Sequence, residues 1–506
     1  MRGPHNIWRL IRTGATFERA GAMKVALEAM NAPRSVRIVA RIIGWPVQWL
    51  GLRGDPSQPP VLRALTALGP AYIKFGQLMS TRPDVVGPEL AHELRVLQDK
   101  LPPFPTDEAK AEVEKELGIG IDEVFSEFSE PVAAASLAQV HKAVVRDSGR
   151  VVAVKVLRPG IERAFLRDVD AFYLAAAIIE FVAPFSRRLR PRAVIEHFHG
   201  VVKGELDLRM EASAADEFAH NTRNDPGFSV PALIWELSAR RVMTTEWVEG
   251  IPLGDIPAIL ATGQDPVEFA SRILQTFLTH ALRDGFFHAD MHQGNLKRGP
   301  NGDLIALDFG IMGRIDTYTR RVYAEILFGF LQRDYRRVAE VHFEAGYVPA
   351  DQDVEAFAQA LRSVGEPIFD YDARQVSMGR LFAHLFEVTE QFGMQTRTEL
   401  ILLQRTMVVV EGVARTLSED INMWEVSRPV IETYIRDNIG PKAMARDLGA
   451  TLRVLTRFGP RLPELAEAAL RRASTGGEPE PKRQNGLVWG LGGALIGVIV
   501  ALLFTG

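Results

Sequence analysis

The spacing of apolar and polar residues predicts a strand-rich segment between two helical ones. Between residues 61 and 101, apolar side chains recur at helical intervals. A helix through Glu114 then precedes three short strands, and the last of these, Val151–Leu157, is rich in β-branched residues. From about residue 266 onwards the pattern is mostly helical. We therefore predict an α+β fold with a small β-rich lobe followed by a larger helical lobe.

Breaks in this pattern give the boundaries between segments. A proline-rich cluster ends the first segment, and near residue 475 the composition changes to Gly, Glu, Pro and Lys, which is typical of a flexible tether. Further strands are predicted at 233–235 and 241–247. We predict a basic helical extension at 1–60, a second helical extension at 61–110 and a small lobe with an insert at 111–250. A helical lobe at 251–475, a tether at 476–486 and a membrane anchor at 487–504 follow.

The overall composition excludes several classes of function. A chain of 506 residues with 47% hydrophobic residues can bury more than one core. The net charge of -4 does not favour nucleic acid as a partner. Because the chain has no cysteine, disulfides, thiolate metal ligands and thiol nucleophiles are excluded.

The uncharged stretch 487–504 predicts a C-terminal transmembrane helix. Lys482 and Arg483 precede it, and the positive-inside rule then leaves the body of the protein in the cytoplasm, anchored to the cell inner membrane. Within the stretch, Gly493 and Gly497 form a G-x-x-x-G pair that would allow a homodimer. A buried C-terminal helix is the alternative interpretation.

Two motifs predict a phosphoryl-transfer site. Asp308 begins the tripeptide Asp-Phe-Gly, and a hairpin turn between two short strands is predicted before it at Gly302. Upstream, Asp290 is followed five positions later by Asn295, as in the catalytic loop of protein kinases. Mg²⁺ on nucleotide phosphates takes hard oxygen ligands, which the Asp308 carboxylate and the Asn295 amide would supply. Asp290 would then orient or deprotonate a nucleophile.

A third motif predicts the nucleotide-binding strand. Val-Ala-Val-Lys, ending at Lys155, matches the kinase strand whose lysine holds the α- and β-phosphates. Alignment of the kinase phosphate loop on Val140 places alanine at all three glycine positions, which should stiffen the loop. The predicted positions of this loop are Ala133, Ala135, Ser136, Ala138 and Val140.

Each motif alone has a simpler explanation. Lys155 could face solvent, Asp308 could be a turn residue, and the alanine-rich segment could be plain helix. His288 and His292, four residues apart, could bind a metal, but beside a kinase-like loop a structural role is favoured for both. The joint order and spacing of the motifs favour a protein-kinase-like two-lobed fold, with the N-terminal helical extension and the C-terminal transmembrane helix added to it.

At this point the sequence resembles the UbiB-type atypical kinases, whose marks are the alanine-rich loop, a Lys-x-Gly-Gln motif and a Glu-x-Asp motif. Here Lys74 and Gln77 belong to the first of these two motifs, and Glu205 and Asp207 to the second. The resemblance implies that the first motif covers the protein-substrate cleft and that Lys74 pairs with Glu205 or Asp207, which gives these four residues a regulatory role. It also implies that Glu211 pairs with the nucleotide-binding lysine.

The resemblance further implies an ATP-binding protein with Mg²⁺ or another divalent cation that hydrolyses ATP at the membrane in support of ubiquinone biosynthesis. Its expected partners are membrane lipid, prenylated quinone precursors and other enzymes of that pathway. The adenine would hydrogen-bond to the backbone near Glu246, Trp247 and Val248, where a strand leads into Glu249-Gly250 as in a kinase hinge. A protein or small-molecule kinase and a nucleotide-binding scaffold without turnover are the alternatives.

Two features depart from the family pattern. Met291 and Gln293 stand where the family's catalytic loop often has proline, and the loss of proline should loosen the loop. No Ala-Pro-Glu follows Asp308, and the chain is predicted to pass almost at once into a helix. A conventional activation loop and peptide-docking platform are therefore not expected.

Overall fold

An antiparallel sheet forms the small lobe of the protein. The structure is a computed structural model that describes residues 4–29, 32–80, 86–94, 97, 103–135, 137–182, 190–370, 378–394 and 398–440. The sheet has the strand order β1-β2-β3-β5, and every neighbouring pair is antiparallel. Its strands are β1 Phe125–Ala134, β2 Ala138–Val145, β3 Val151–Leu157 and β5 Val242–Glu246.

Helices precede this sheet in the chain. They are α1 Pro4–Ala20, α2 Ala22–Ala29, α3 Arg34–Gly44, a 3₁₀ helix Trp45–Leu50, α4 Pro60–Leu68, α5 Pro70–Ser80, α6 Pro88–Leu94, α7 Thr106–Leu117 and α8 Ile121–Val124. Proline at the first or second position begins α4, where its fixed backbone angle suits the first turn.

An insert of three helices follows β3. These are α9 Ile161–Val182, α10 Pro191–Glu205 and α11 Leu208–Thr222. Asp207 is the N-cap of α11. Its side chain accepts a hydrogen bond from the N–H of Arg209 at 3.2 Å and so satisfies a donor that has no partner within the helix.

The helical lobe also contains short strands. A second sheet has the order β4-β9-β8-β6, and β10 pairs with β7. These strands are β4 Phe228–Ser229, β6 Ile251–Pro252, β7 Phe286–His288, β8 Leu296–Arg298, β9 Leu304–Ala306 and β10 Met312–Arg314. The helices are α12 Ile256–Ala261, α13 Pro266–Thr279, α14 Thr317–Leu331, α15 Tyr335–Glu344, α16 Val354–Asp370, α17 Met378–Gln391, α18 Thr398–Leu417 and α19 Met423–Asn438.

Successive side chains of β3 alternate between the core of the small lobe and the opposite face of the sheet. Val152, Val154 and Val156 are buried and pack in one cluster with Phe125 and other side chains of the small lobe. Because neighbouring residues of a strand point to opposite faces, Lys155 lies on the other face. The larger core joins the N-terminal helices, the insert and the helical lobe.

Most predicted elements are present, and one is not. The three strands before residue 158, the turn at Gly302 between β8 and β9, and the early helix after Asp308 all occur. The predicted strand at 233–235 is wrong: Leu233 makes a single bridge to Thr245, and a 3₁₀ helix begins at Trp235. The side chain of Ser238 accepts the N–H of Thr244 there, which interrupts a ladder.

The chain divides into two compact units, Met1–Ile435 and Arg436–Gly506. Of the second unit the structure describes only the end of α19 and the two residues after it. Among the helices that the structure describes, none combines the length and the apolar character needed to cross a membrane. The predicted tether, the anchor at 487–504 and the Gly493/Gly497 pair lie outside the described residues and stay predictions.

Gly76, in the middle of α5, is required by close packing. A Cβ atom at this position would stand 2.4 Å from Leu97 Cδ1 and 2.7 Å from Leu65 Cδ1. We expect Gly76→Ala to lower the free energy of unfolding by about 1–3 kcal/mol, as overpacking of a core does. Chemical denaturation of the full-length protein measures the change.

Gly200→Ala is the matched control. A Cβ there would meet no described atom within 4 Å, and the residue lies inside α10. Alanine should therefore stabilise the protein by roughly 0.5–1 kcal/mol relative to glycine. Equal unfolding curves for Gly76→Ala and wild type would contradict the packing argument.

Candidate functional site

Lys155 lies between two carboxylates. Its Nζ is 2.6 Å from Glu211 Oε1 and 3.1 Å from Asp308 Oδ2. The three residues come from β3, from the first turn of α11 and from the segment after β9. We call these residues the ion triad; it brings together the predicted lysine, the glutamate implied by the resemblance and the aspartate of Asp-Phe-Gly.

The triad changes the pKa of each of its members. Burial alone would lower the pKa of Lys155, but Asp308 and Glu211 outweigh burial and raise it. Burial raises the pKa of Glu211, and Lys155 opposes this rise. Burial would also raise the pKa of Asp308, but Lys155 and the N–H of Gly310, 2.9 Å from Oδ1, hold it well below its usual value. At neutral pH, Asp308 is therefore ionised beside a charged lysine.

Asp290 and Asn295 lie together in the loop 288–295, which we call the catalytic loop because its sequence matches that loop of protein kinases. Asn295 Nδ2 donates to the backbone oxygen of Asp290 at 3.0 Å and is 3.4 Å from its Oδ2. The N–H of Leu307 donates to the Asn295 carbonyl at 3.0 Å, which ties this loop to the segment that carries Asp308. The loop and the Asp-Phe-Gly segment are thus one hydrogen-bonded unit.

The residues of this unit fit a divalent cation. Because the amide nitrogen of Asn295 is held by Asp290, the amide oxygen is the atom left to face a metal, and Asp308 adds a carboxylate. Both are hard oxygen ligands of the kind that Mg²⁺ takes. Within the described part of the chain, no three His, Cys, Asp or Glu side chains are grouped so that they could hold a metal ion.

His288 and His292 have structural hydrogen bonds. His288 is buried, and its Nδ1 accepts the N–H of Asp290 at 3.1 Å, while Nδ1 of His292 accepts the N–H of Gly294 at 2.9 Å. Burial lowers the pKa of His288. These contacts support the structural interpretation of the two histidines.

Tilted ring contacts connect the catalytic loop with α11. Phe309 lies 5.6 Å from the ring of His288 and 5.8 Å from that of Phe218, which is fully buried on α11. The same helix carries Glu211 at its first turn. A movement of α11 would therefore shift both the glutamate of the triad and the packing of the Asp-Phe-Gly segment.

Helix α18 holds the catalytic loop from the other side, which the sequence did not predict. The hydroxyl of Thr406 donates to the Ala289 carbonyl at 3.1 Å, and Gln293 Nε2 donates to Thr416 Oγ1 at 3.0 Å. Met291 is buried. Of the two residues that stand in place of proline, Gln293 thus contacts α18 and Met291 is buried, and the loosening of the loop stays a prediction. More than a hundred residues separate the partners, and no local pattern marks them.

The alanine-rich segment forms the tight turn between β1 and β2. Ala133 lies opposite Val140 in the sheet, and the N–H of Ala135 donates to the carbonyl of Ala138 at 2.8 Å. The N–H of Arg158 also donates to Leu137, so a second segment holds the turn. Ser136 lies outside the described residues. Strand pairing up to the turn excludes the helical interpretation of this segment.

The predicted adenine-binding strand is already hydrogen-bonded in part. The N–H of Glu246 donates to Ala232 at 2.8 Å and that of Trp247 donates to Val151 at 3.1 Å. The carbonyl of Val248 accepts from Lys297 Nζ at 3.2 Å. Among the described residues no hydrogen bond uses the N–H of Val248, so of the three predicted positions it is the one whose N–H can donate to an adenine nitrogen.

The Lys-x-Gly-Gln motif lies on α5 and contacts the insert. Lys74 Nζ is 3.0 Å from Glu205 Oε2, and both side chains are mostly buried. Asp207 instead binds Arg209 and begins α11. Of the two acids that the resemblance offered, Glu205 is thus the partner of Lys74. Gln77 donates to the Leu97 carbonyl at 3.1 Å.

Known families and proteins match most of this chain. Residues 96–342 match the ABC1 atypical kinase-like domain, and residues 361–422 match the UbiB helical domain, which includes α18. Relatives named "Probable protein kinase UbiB" occur in several bacteria. The one from Azotobacter vinelandii is 36% identical and covers 98% of this chain and 93% of its own length. The Aliivibrio fischeri protein is 40% identical over 81% of this chain and 76% of its own length.

A solved structure shows the fold. The structure of Rv3197 with erythromycin, from Mycobacterium tuberculosis, matches with a TM-score of 0.52 and 24% identity, over 78% of this chain and 98% of that one. At this identity the likeness bears on the fold alone, which is kinase-like with helix and sheet.

A double-mutant cycle tests the buried pair of the Lys-x-Gly-Gln motif. We expect Lys74→Met and Glu205→Gln each to lower the free energy of unfolding, because each removes one charge of a mostly buried ion pair. The coupling energy between them should be about 1–3 kcal/mol. Denaturation of the wild type, both single variants and the double variant measures it.

The exposed pair Arg336 and Glu340, one helical turn apart at 3.3 Å, is the control for this cycle. Its coupling should stay under about 0.5 kcal/mol, because water screens it. A coupling for Lys74 and Glu205 as small as that of the control would show that the buried contact adds nothing to the attachment of α5.

Proposed function

Because the chain belongs to the UbiB family of atypical kinases, we propose that it is an ATPase that supports ubiquinone biosynthesis at the membrane. In this proposal, ATP binding and hydrolysis control the access of prenylated quinone precursors to the other enzymes of the pathway. The observation that carries the proposal is the ion triad beside Asp290 and Asn295.

Each residue of the site has a role in this proposal. Lys155 binds the α- and β-phosphates, and Glu211 positions the lysine. Asp308 and the amide oxygen of Asn295 hold Mg²⁺ or another divalent cation, whose charge offsets that of the phosphates when it is bound. The backbone of the alanine-rich hairpin covers the phosphates, and Val248 binds the adenine.

Asp290 acts on the attacking water. It orients the water and accepts its proton as the new oxygen–phosphorus bond forms and the bond to the bridging oxygen of ADP breaks. The loop that carries Asp290 is held by Asn295 on one side and by α18 on the other. This restraint keeps the carboxylate near one position, which favours the reaction.

The Lys74–Glu205 pair gives the proposed regulation. Glu205 is the last residue of α10, and Asp207, the cap of α11, follows two positions later. The pair therefore fixes the start of the helix that carries Glu211. Gln77 attaches α5 to a different segment, through the carbonyl of Leu97. Movement of α5 would change the position of Glu211 and so the charge balance around Lys155.

The attachment of α5 also favours water over a protein as phosphoryl acceptor. In the proposal, α5 lies where a peptide would enter, and the chain after Asp308 passes through β10 directly into α14 at Thr317. A protein or small-molecule kinase remains the second candidate, and a scaffold without turnover the third. Inner-membrane localisation through residues 487–504 and a homodimer through Gly493 and Gly497 are further parts of the proposal.

ATP hydrolysis by the full-length protein in liposomes tests the proposal. We expect turnover that a prenylated phenol stimulates, and we expect Asp308→Asn to lower kcat by at least about a hundredfold, since a ligand of the cation is lost. The measurement is phosphate release with and without the phenol.

Asp303→Asn is the matched control. This aspartate lies in the nearby hairpin and accepts from Ser229 at 2.7 Å, away from the triad, so kcat should stay near that of wild type. Transfer of phosphate to an added protein would favour the kinase candidate. Nucleotide binding without turnover under any lipid condition would favour the scaffold.

A further inference from the structure

An apolar stripe lies exposed on α3 and on the 3₁₀ helix that continues it. Ile38 is 59% exposed, Ile42 67%, Trp45 68% and Trp49 72%. The four positions are spaced by three or four residues, the spacing of a helix face that a globular protein normally buries. Here that face points away from the protein. We call these four residues the N-terminal stripe.

Basic residues accompany the stripe. Arg34 and Arg41 are exposed on the same helix, and Arg37 is paired with Glu28 at 3.3 Å. Residues 1–60 contain nine Lys and Arg against three Asp and Glu, a net charge of +6, although the whole chain has a net charge of -4. The segment that carries the stripe therefore has a positive net charge, in a chain that is negative overall.

We propose that the N-terminal stripe docks in the plane of a bilayer that contains anionic lipids. A helix with exposed aliphatic side chains on one face and arginine beside them binds at the interface between headgroups and acyl chains. Tryptophan favours this interface because its ring is apolar and its N–H is polar. Arginine adds attraction to the anionic headgroups. This charge complementarity selects a membrane surface as the occupant.

Helix α1 also exposes large apolar side chains. Ile7 is 58% exposed and Trp8 54%, and α1 packs against the 3₁₀ helix of the stripe. The Arg19 side chain donates to the Gly51 carbonyl at 2.7 Å, directly after that helix. The stripe is therefore attached to α1, and α1 contributes to the core that α4 and α9 share.

The stripe thus places the body of the protein against the bilayer by a contact separate from the predicted C-terminal anchor. Of the residues that carry this inference, none belongs to the nucleotide site. The inference therefore stands whether ATP is hydrolysed, transferred or only bound, and its test uses no activity measurement.

The absence of cysteine allows a direct test in the full-length protein. A single cysteine at Ile42→Cys, labelled with an environment-sensitive fluorophore, reports whether the stripe enters the lipid. Val267→Cys is the control, since Val267 is 52% exposed at the start of α13 in the helical lobe. Each protein is incorporated into vesicles of phosphatidylcholine and into vesicles of equimolar phosphatidylcholine and phosphatidylglycerol.

We expect the emission of the label at residue 42 to shift to the blue and rise severalfold in the anionic vesicles, and to do so less in phosphatidylcholine alone or at high salt. The label at residue 267 should not change. In the Ile42→Cys background, adding Trp45→Ser with Trp49→Ser should lower the ratio of docked to undocked protein about tenfold. Trp235→Ser, a half-exposed tryptophan of the small lobe, should leave it unchanged.

Three results would overturn the proposal. An unchanged label at residue 42 in anionic vesicles would show that the stripe stays in water. A blue-shifted label before vesicles are added would show that the stripe is covered by residues 441–506 of the same chain or, if the shift depends on protein concentration, by a second copy. Equal shifts in neutral and anionic vesicles would exclude the arginine contribution.

Discussion

The position of Lys155 between Glu211 and Asp308 is the interaction on which the rest of the site depends. It joins the small sheet, the inserted helix α11 and the Asp-Phe-Gly segment through one ammonium group. One ammonium group is shared by two carboxyl groups here, and these acidic surroundings suit a site that receives a divalent cation with its nucleotide. The positive charge of Lys155 offsets the repulsion between the two carboxyl groups.

Contacts outside the triad hold α11 and the catalytic loop in place. On one side, Lys74 binds Glu205 just before α11 begins, and Phe218 on α11 packs on Phe309. On the other side, α18 binds the catalytic loop through Thr406. Helix α5 of the second helical extension thus contacts the insert that carries Glu211, and α18 of the UbiB helical domain contacts the loop that carries Asp290. Segments outside the kinase-like core therefore help to position the residues of the site.

Local spacing explains which parts of this arrangement could be predicted from the sequence. The three strands of the small lobe, the hairpin before Asp308 and the Asp290 to Asn295 interval depend on residues close together in the chain, and their patterns are visible there. The choice of Glu205 over Asp207 depends on where α5 packs. The contact of Gln293 with Thr416 joins distant segments, and the bridge at Leu233 replaces a predicted strand because a serine side chain takes a backbone donor.

The most direct test of the central claim is the binding of Mn²⁺, as a substitute for Mg²⁺, followed by electron paramagnetic resonance. The full-length protein is titrated with and without a non-hydrolysable ATP analogue. Because Lys155 balances Asp308 until phosphates arrive, our account predicts weak Mn²⁺ binding alone, strong binding with the analogue, and loss of the strong binding in Asp308→Asn. Equal Mn²⁺ binding with and without the analogue would contradict it.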